Sequence, residues 1–145
     1  EDVDNMLAQT KCDMVMAGRA LAARPWLMWQ CGERWGFQAP EMAAEKQLGV
    51  VAGEHRRAPQ TREEEGAEYG RCLLRLLRLS RHYFGENLAL RKIRFYVRTT
   101  SVWLLFGQSL ISVVNKAKNL QGAEEGIEKF FSIPVEMLPK TDLRE

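Results

Sequence analysis

EEEGAEYGRCLLRLLRLSRHYF, residues 63–84, has the spacing of one long helix. Glu63, Glu64 and Glu65 stand at the end where a helix macrodipole favours negative charge. About 22 residues at 1.5 Å each would make a rod of roughly 33 Å. At 100° per residue, Arg71, Arg75, Arg78 and His82 fall in a strip about 60° wide, while Tyr69, Cys72, Leu73, Leu74, Leu76, Leu77, Leu79 and Tyr83 fill the rest. The expectation is a buried helix with one basic edge.

Working outward, the turn at Gly85 leads to a second helical segment, ENLALRKIRFYVR, in which Arg91, Arg94 and Arg98 share one face and Leu90, Ile93 and Val97 the opposite one. Between Arg71 and Arg98 eight Lys or Arg stand against one acid, Glu86, a net of +7; the whole chain is only +2, which leaves −5 for the rest. One such stripe is ordinarily a solvated face. Two on neighbouring helices point to a polyanion site, and arginine's planar fork suits phosphate and stacked bases better than lysine's point charge. The candidate RNA-binding residues are Arg71, Arg75, Arg78, Arg91, Lys92, Arg94 and Arg98.

The bundle continues with a helix expected over residues 101–118, carrying Trp103 and Phe106 as core, and a last helix over 122–131 with Ile127, Phe130 and Phe131 turned inward. Pro134 and Pro139 end the order, so residues 134–145 are expected to be a loose tail.

Composition sets the outer bounds. At 145 residues, 46% hydrophobic and 28% charged, the chain is ordinary for one soluble domain. No apolar run reaches about 18 residues, so no membrane span is expected, and no secretory signal is seen. Cys12, Cys31 and Cys72 are widely spaced with no CxxC pair, which argues against disulfides and against a zinc site. A reducing, cytoplasmic setting follows.

The other informative stretch is CDMVMAGRALAARPW, residues 12–26. Met14, Val15, Met16 and Ala17 form a short continuous apolar run, the pattern of a strand covered on both faces in a parallel sheet. Gly18 permits close backbone approach, Arg19 adds a fixed positive charge, and the N–H groups leading toward a helix opened by Pro25 are placed to receive an anion, best a phosphate. Upstream, Val3, Met6 and Leu7 mark a helix over residues 3–10. A strand covered on both faces needs partners, so the chain is expected to be the C-terminal part of a longer protein. The helix from Pro25 should stop near Gly36, its Trp26, Trp29 and Trp35 serving in packing or, on the functional reading, in base stacking. Residues 37–62, with Pro40, Gly49, Gly53 and Pro59, read as a linker with a short helix over 42–51 and a solvated basic cluster at His55, Arg56 and Arg57.

Met-Ala-Gly-Arg ending a strand, followed by Arg-Pro-Trp, resembles the last strand and phosphate loop of the tRNA-dihydrouridine synthases. The resemblance returns downstream, where that family carries Arg-Lys-His and an aromatic pair ending in tyrosine a few residues after a glycine. Here Gly85 is followed by Arg91-Lys92-Ile93 and Phe95-Tyr96, with Ile93 in the place of the histidine. The resemblance implies a flavin-dependent (β/α)8 barrel followed by a helical RNA-binding domain. It puts Gly18 and Arg19 on the phosphate of FMN, names NADPH as reductant and tRNA as partner, and places the catalytic cysteine outside this chain.

The expected architecture is mainly α: residues 1–36 as the last βα portion of the barrel, 37–62 as linker, 63–133 as the helical tRNA-binding domain and 134–145 as tail. Two other classes fit the same residues. One is another phosphate- or flavin-binding barrel enzyme with a helical extension; the other is a stand-alone helical module that binds nucleic acid or protein.

Overall fold

Seven α-helices follow one another in the computed structural model, which describes residues 2–37 and 57–139: α1 (Asp2–Thr10), α2 (Arg19–Ala23), α3 (Leu27–Arg34), α4 (Arg62–Phe84), α5 (Glu86–Thr100), α6 (Gly107–Lys116) and α7 (Leu120–Phe130). The architecture is a helical bundle, α4 to α7, with α2 and α3 laid against it. The expected linker helix over 42–51, together with His55 and Arg56, lies outside the described residues.

The long helix starts at a capping box. Thr61 Oγ1 accepts from Glu64 N at 3.1 Å, and the Glu64 carboxylate accepts from Thr61 N at 3.1 Å and Gln60 N at 2.7 Å. A hydrogen bond from Arg57, followed by those two backbone groups, holds the Glu64 carboxyl down at about 2. At the other end Gly85, at φ 69° and ψ 167°, closes α4 and opens α5 by itself, a backbone turn that a side chain would strain.

The seam between α4 and α5 is apolar. Tyr69, Leu73 and Leu77 meet Ala89, Ile93 and Val97, and α6 and α7 complete the core with Leu110, Val114, Leu120, Ala123 and Ile127. Each fully buried Leu or Ile contributes about 1.5–3 kcal/mol. Tyr83, expected on the buried side of α4, is 69% exposed; it lies in the last turn, beyond the reach of the core.

Residues 134–138 are not a loose tail. They form a strap in which Val135 and Met137 are buried. Met137 N donates to Arg62 O at 3.0 Å, Leu138 N to Trp103 O at 2.7 Å, and Leu105 N to Glu136 O at 2.9 Å. A Cβ on Gly66 would sit 1.7 Å from Val135 O, so only glycine lets the strap lie this close to α4. The strap also breaks the helix expected over 101–118. Its backbone takes up Leu104 and Leu105, leaving a 3-10 turn over Ser101–Trp103 before α6 starts at Gly107. Phe106, expected in the core, is 66% exposed in a left-handed conformation at φ 61°.

The N-terminal region also departs from expectation. Residues 14–17 form no strand: Met14 and Met16 are 86% and 95% exposed, and no strand exists among the described residues for them to pair with. The helix after them opens at Arg19, directly behind Gly18, and Pro25 lies in the turn between α2 and α3. Helix α1 forms as its apolar spacing requires, and Asp4 joins it to the end of α3 through Arg34 at 3.0 Å and Trp35 Nε1 at 3.3 Å.

Arg24 holds α2 and α3 to the bundle. Its Nε reaches Glu65 Oε2 at 3.3 Å, its Nη2 donates to Leu138 O, and its guanidinium lies over the Trp103 ring, 4.8 Å from the centroid. The same Glu65 accepts from Gln30 Nε2 at 2.9 Å and Trp26 Nε1 at 3.4 Å. Both charged side chains are nearly withdrawn from water, where removing one partner strands the other. Glu65→Ala is therefore expected to cost about 3–5 kcal/mol in urea denaturation, and the joint change of Arg24→Met with Glu65→Leu to cost less than Glu65→Ala alone.

Candidate nucleic-acid interface

The outward face of α5 collects basic and aromatic side chains. Leu88, Arg91, Lys92, Phe95, Arg98 and Thr99 are all exposed, opposite the buried Ala89, Ile93 and Val97. The only acid on this helix, Glu86, is turned to α7, where it accepts from Leu120 N at 3.2 Å. Arg91, Lys92 and Arg98 make no ion pair with any described residue. Lys92 Nζ stands over the half-exposed Phe84 ring, 4.5 Å from its centroid, which carries the face across Gly85 onto the end of α4.

The structure divides the seven expected RNA-binding side chains. Arg91, Lys92 and Arg98 come together on the open face of α5. Arg78 and Arg81 instead face α7: Arg78 reaches Glu124 at 3.0 Å and Glu128 at 3.7 Å, and Arg81 reaches Glu124 at 2.8 Å. Burial pushes the Glu124 carboxyl up, but hydrogen bonds from these two arginines outweigh it and hold it below its ordinary value. Arg71 pairs with Glu68 one turn back, and Arg75 is half-buried. Arg94 turns inward and donates to Ala117 O at 2.7 Å and Asn115 O at 3.4 Å, placing its charge on the carbonyl end of α6. Arg78 of the α4 stripe, with Arg81 beside it, therefore serves to join α4 to α7.

Sequence reasoning placed Phe95 in a motif but not on this surface, where it is 69% exposed. The signal was present, since Phe95 lies about 160° around the helix from Ile93 and Val97. Arg24 gave no comparable signal, because its partners Glu65 and Leu138 are 41 and 114 residues away.

Gly18 and Arg19 form the opening of α2. A Cβ on Gly18 would meet nothing within 4 Å, and Arg19 is exposed with no ion pair to a described residue. The Gly18 carbonyl takes Leu21 N at 3.1 Å and Ala22 N at 3.2 Å, so the first N–H groups of the helix, on Arg19 and Ala20, have no acceptor within it. An exposed cation and two N–H groups without an acceptor in the helix thus stand together at this end of α2. This short helix is held against α5 by Tyr96, whose hydroxyl donates to Ala22 O at 2.8 Å. Burial pushes that phenol up to about 12.

No group of three or more metal-ligating side chains occurs among the described residues, and none of their helices is long and apolar enough to cross a membrane. Cys12, Cys31 and Cys72 form no disulfide among the described residues. No protein-family model, curated protein or solved structure matches the chain.

Two outcomes separate the joining arginines from the open face. Arg91→Ala with Arg98→Ala is expected to weaken binding to RNA without loss of helicity and to flatten the slope of log K against log salt by about 1.4–1.8, whereas Arg78→Ala should lower the unfolding midpoint in urea. A carboxyl held below its unfolded value adds stability that is complete above that value and drains away as pH falls. Stability should thus decline as the pH drops through 4.5, the ordinary value for Glu124, and Glu124→Gln should flatten that acid limb in urea midpoints measured against pH.

Proposed function

We propose that the chain is part of a tRNA-dihydrouridine synthase, which reduces uridine to dihydrouridine in tRNA with FMN and NADPH. The observation that carries this reading is the meeting of its two motifs. Tyr96, which ends the Arg-Lys-Ile-Arg-Phe-Tyr segment, bonds to Ala22 in the short helix opened by Gly18 and Arg19, 74 residues away. The Gly18–Arg19 turn and the basic helix face thereby belong to one packed unit.

In this reading residues 1–36 complete a flavin-binding (β/α)8 barrel. The run Met14 to Ala17 serves there as its final strand, and sheet neighbours would cover the apolar side chains that are now exposed. Bound FMN supplies hydride transfer to the C5=C6 bond of uridine. The part of this chain is to hold the flavin phosphate at Gly18, Arg19 and the first N–H groups of α2, and to hold tRNA on Arg91, Lys92 and Arg98. A base within folded RNA must be turned out to reach such a pocket, so grip on the backbone around it is a requirement of the chemistry. The proton donor, a cysteine by resemblance, lies outside these residues, and the setting is the cytoplasm.

The test uses the complete enzyme. It should purify yellow with bound FMN and form dihydrouridine in tRNA transcripts when given NADPH, and Arg19→Ala should lose its flavin. A colourless wild-type protein would overturn the reading; full flavin occupancy in Arg19→Ala would overturn the phosphate assignment.

A further inference from the structure

Phe95 is the anomaly of the basic face. A phenylalanine 69% exposed in the middle of a helix leaves unused most of the about 1.5–3 kcal/mol its burial would provide. Its neighbours on the surface are cations: Arg91 and Lys92 one turn before it and Arg98 one turn after. Leu88 and Thr99 continue the same row, with Leu88 44% exposed. Leu88 and Phe95 are seven residues apart, about 10 Å along the helix. Beyond them the Phe84 ring, capped by Lys92, adds a second aromatic surface. The face therefore has an apolar row flanked by positive charge, and α5 places no acid on it.

Phosphate alone needs only the cations. In a base-paired RNA helix the bases are stacked inside and the major groove is too deep and narrow for side chains to read, so an exposed ring would find no π-face there. An unpaired nucleotide offers both a phosphate for Arg91 or Arg98 and a free base face for the ring. Resting on the tRNA reading above, we infer that Phe95 is a stacking platform for an unpaired base, so that the α5 face takes looped or single-stranded RNA in preference to duplex. A membrane surface, the other partner of a basic and apolar helix, is served by several deeply inserted side chains in one band. On α5 one ring, Phe95, stands out at 69% exposed, while Leu88 and the neighbouring Phe84 are at 44% and 47%.

The experiment measures binding of the 145-residue chain by fluorescence anisotropy to tRNA, to an RNA hairpin with an open loop, and to a blunt RNA duplex of equal charge. The hairpin carries 2-aminopurine in its loop to report stacking. Wild type should prefer tRNA and hairpin over duplex and change the 2-aminopurine emission. Phe95→Leu, which keeps an apolar side chain but no ring, should weaken hairpin and tRNA binding by about 5- to 150-fold, leave duplex binding and the salt slope unchanged, and abolish the emission change. Phe95→Trp should restore all three.

Unchanged hairpin affinity in Phe95→Leu, or equal affinity for duplex and hairpin, would overturn the stacking role while leaving tRNA as the partner. No salt-dependent binding of wild type to any of the RNAs would overturn the tRNA reading as well. Tighter binding to vesicles of anionic phospholipid than to tRNA, lost in Phe95→Leu, would assign the face to a membrane surface instead.

Discussion

A buried guanidinium and the carboxylate it meets, Arg24 and Glu65, are the centre of the contact between the N-terminal helices and the bundle. Arg24 comes from the turn before α3, yet its contacts are with the first turn of α4, the ring of Trp103 and the carbonyl of Leu138. Charge withdrawn from water is tolerated only when its donors are satisfied. Here the carboxylate, the carbonyl and the aromatic face do that from three separate directions. Without this arrangement α2 would hang from the bundle by the Tyr96 hydroxyl and a few apolar contacts. The placement of Gly18 and Arg19 beside α5 thus draws on Arg24 as well as on the Tyr96 hydroxyl.

Charge is partitioned in the same economical manner. The chain is close to neutral overall, and the excess carried by α4 and α5 is met selectively. Glu124 and Glu128 on α7 take up Arg78 and Arg81, and the carbonyl end of α6 takes up Arg94. What remains open is a smaller patch than the sequence count implies, on one helix and centred on an aromatic ring. On the proposed reading, a patch of three cations with a ring is better matched to a few nucleotides than to a long duplex.

The helices of the bundle were legible because their information is local. Residues 62–84 announce themselves by acids at one end, leucines at helical spacing and a glycine at the other end. The same holds for α5 and α7. What was not legible depends on distant partners. The strap over residues 134–138 begins at one proline, is followed by another and looks like an ending, but its hydrogen bonds reach to Arg62, Trp103 and Leu105. Those bonds also break the helix expected through Leu104. Periodicity gave Arg78 and Arg91 the same standing; only the position of α7 separates them. The apolar run at Met14 to Val15 to Met16 shows the converse case, where a pattern suited to a sheet interior stands exposed because no strand accompanies it among the described residues.

The strap also fixes an order of events in time. Leu138 emerges from a ribosome 114 residues after Arg24, whose guanidinium it must receive. Helices α4 and α5, joined by one glycine and packed through near neighbours in sequence, can pair early at little entropic cost. The docking of the N-terminal helices cannot be completed until translation has passed the strap. During that interval the buried surface of Trp26 and the charge of Arg24 have no final home. This far-reaching contact cannot close earlier, and a chain truncated before it would leave the seam unsealed.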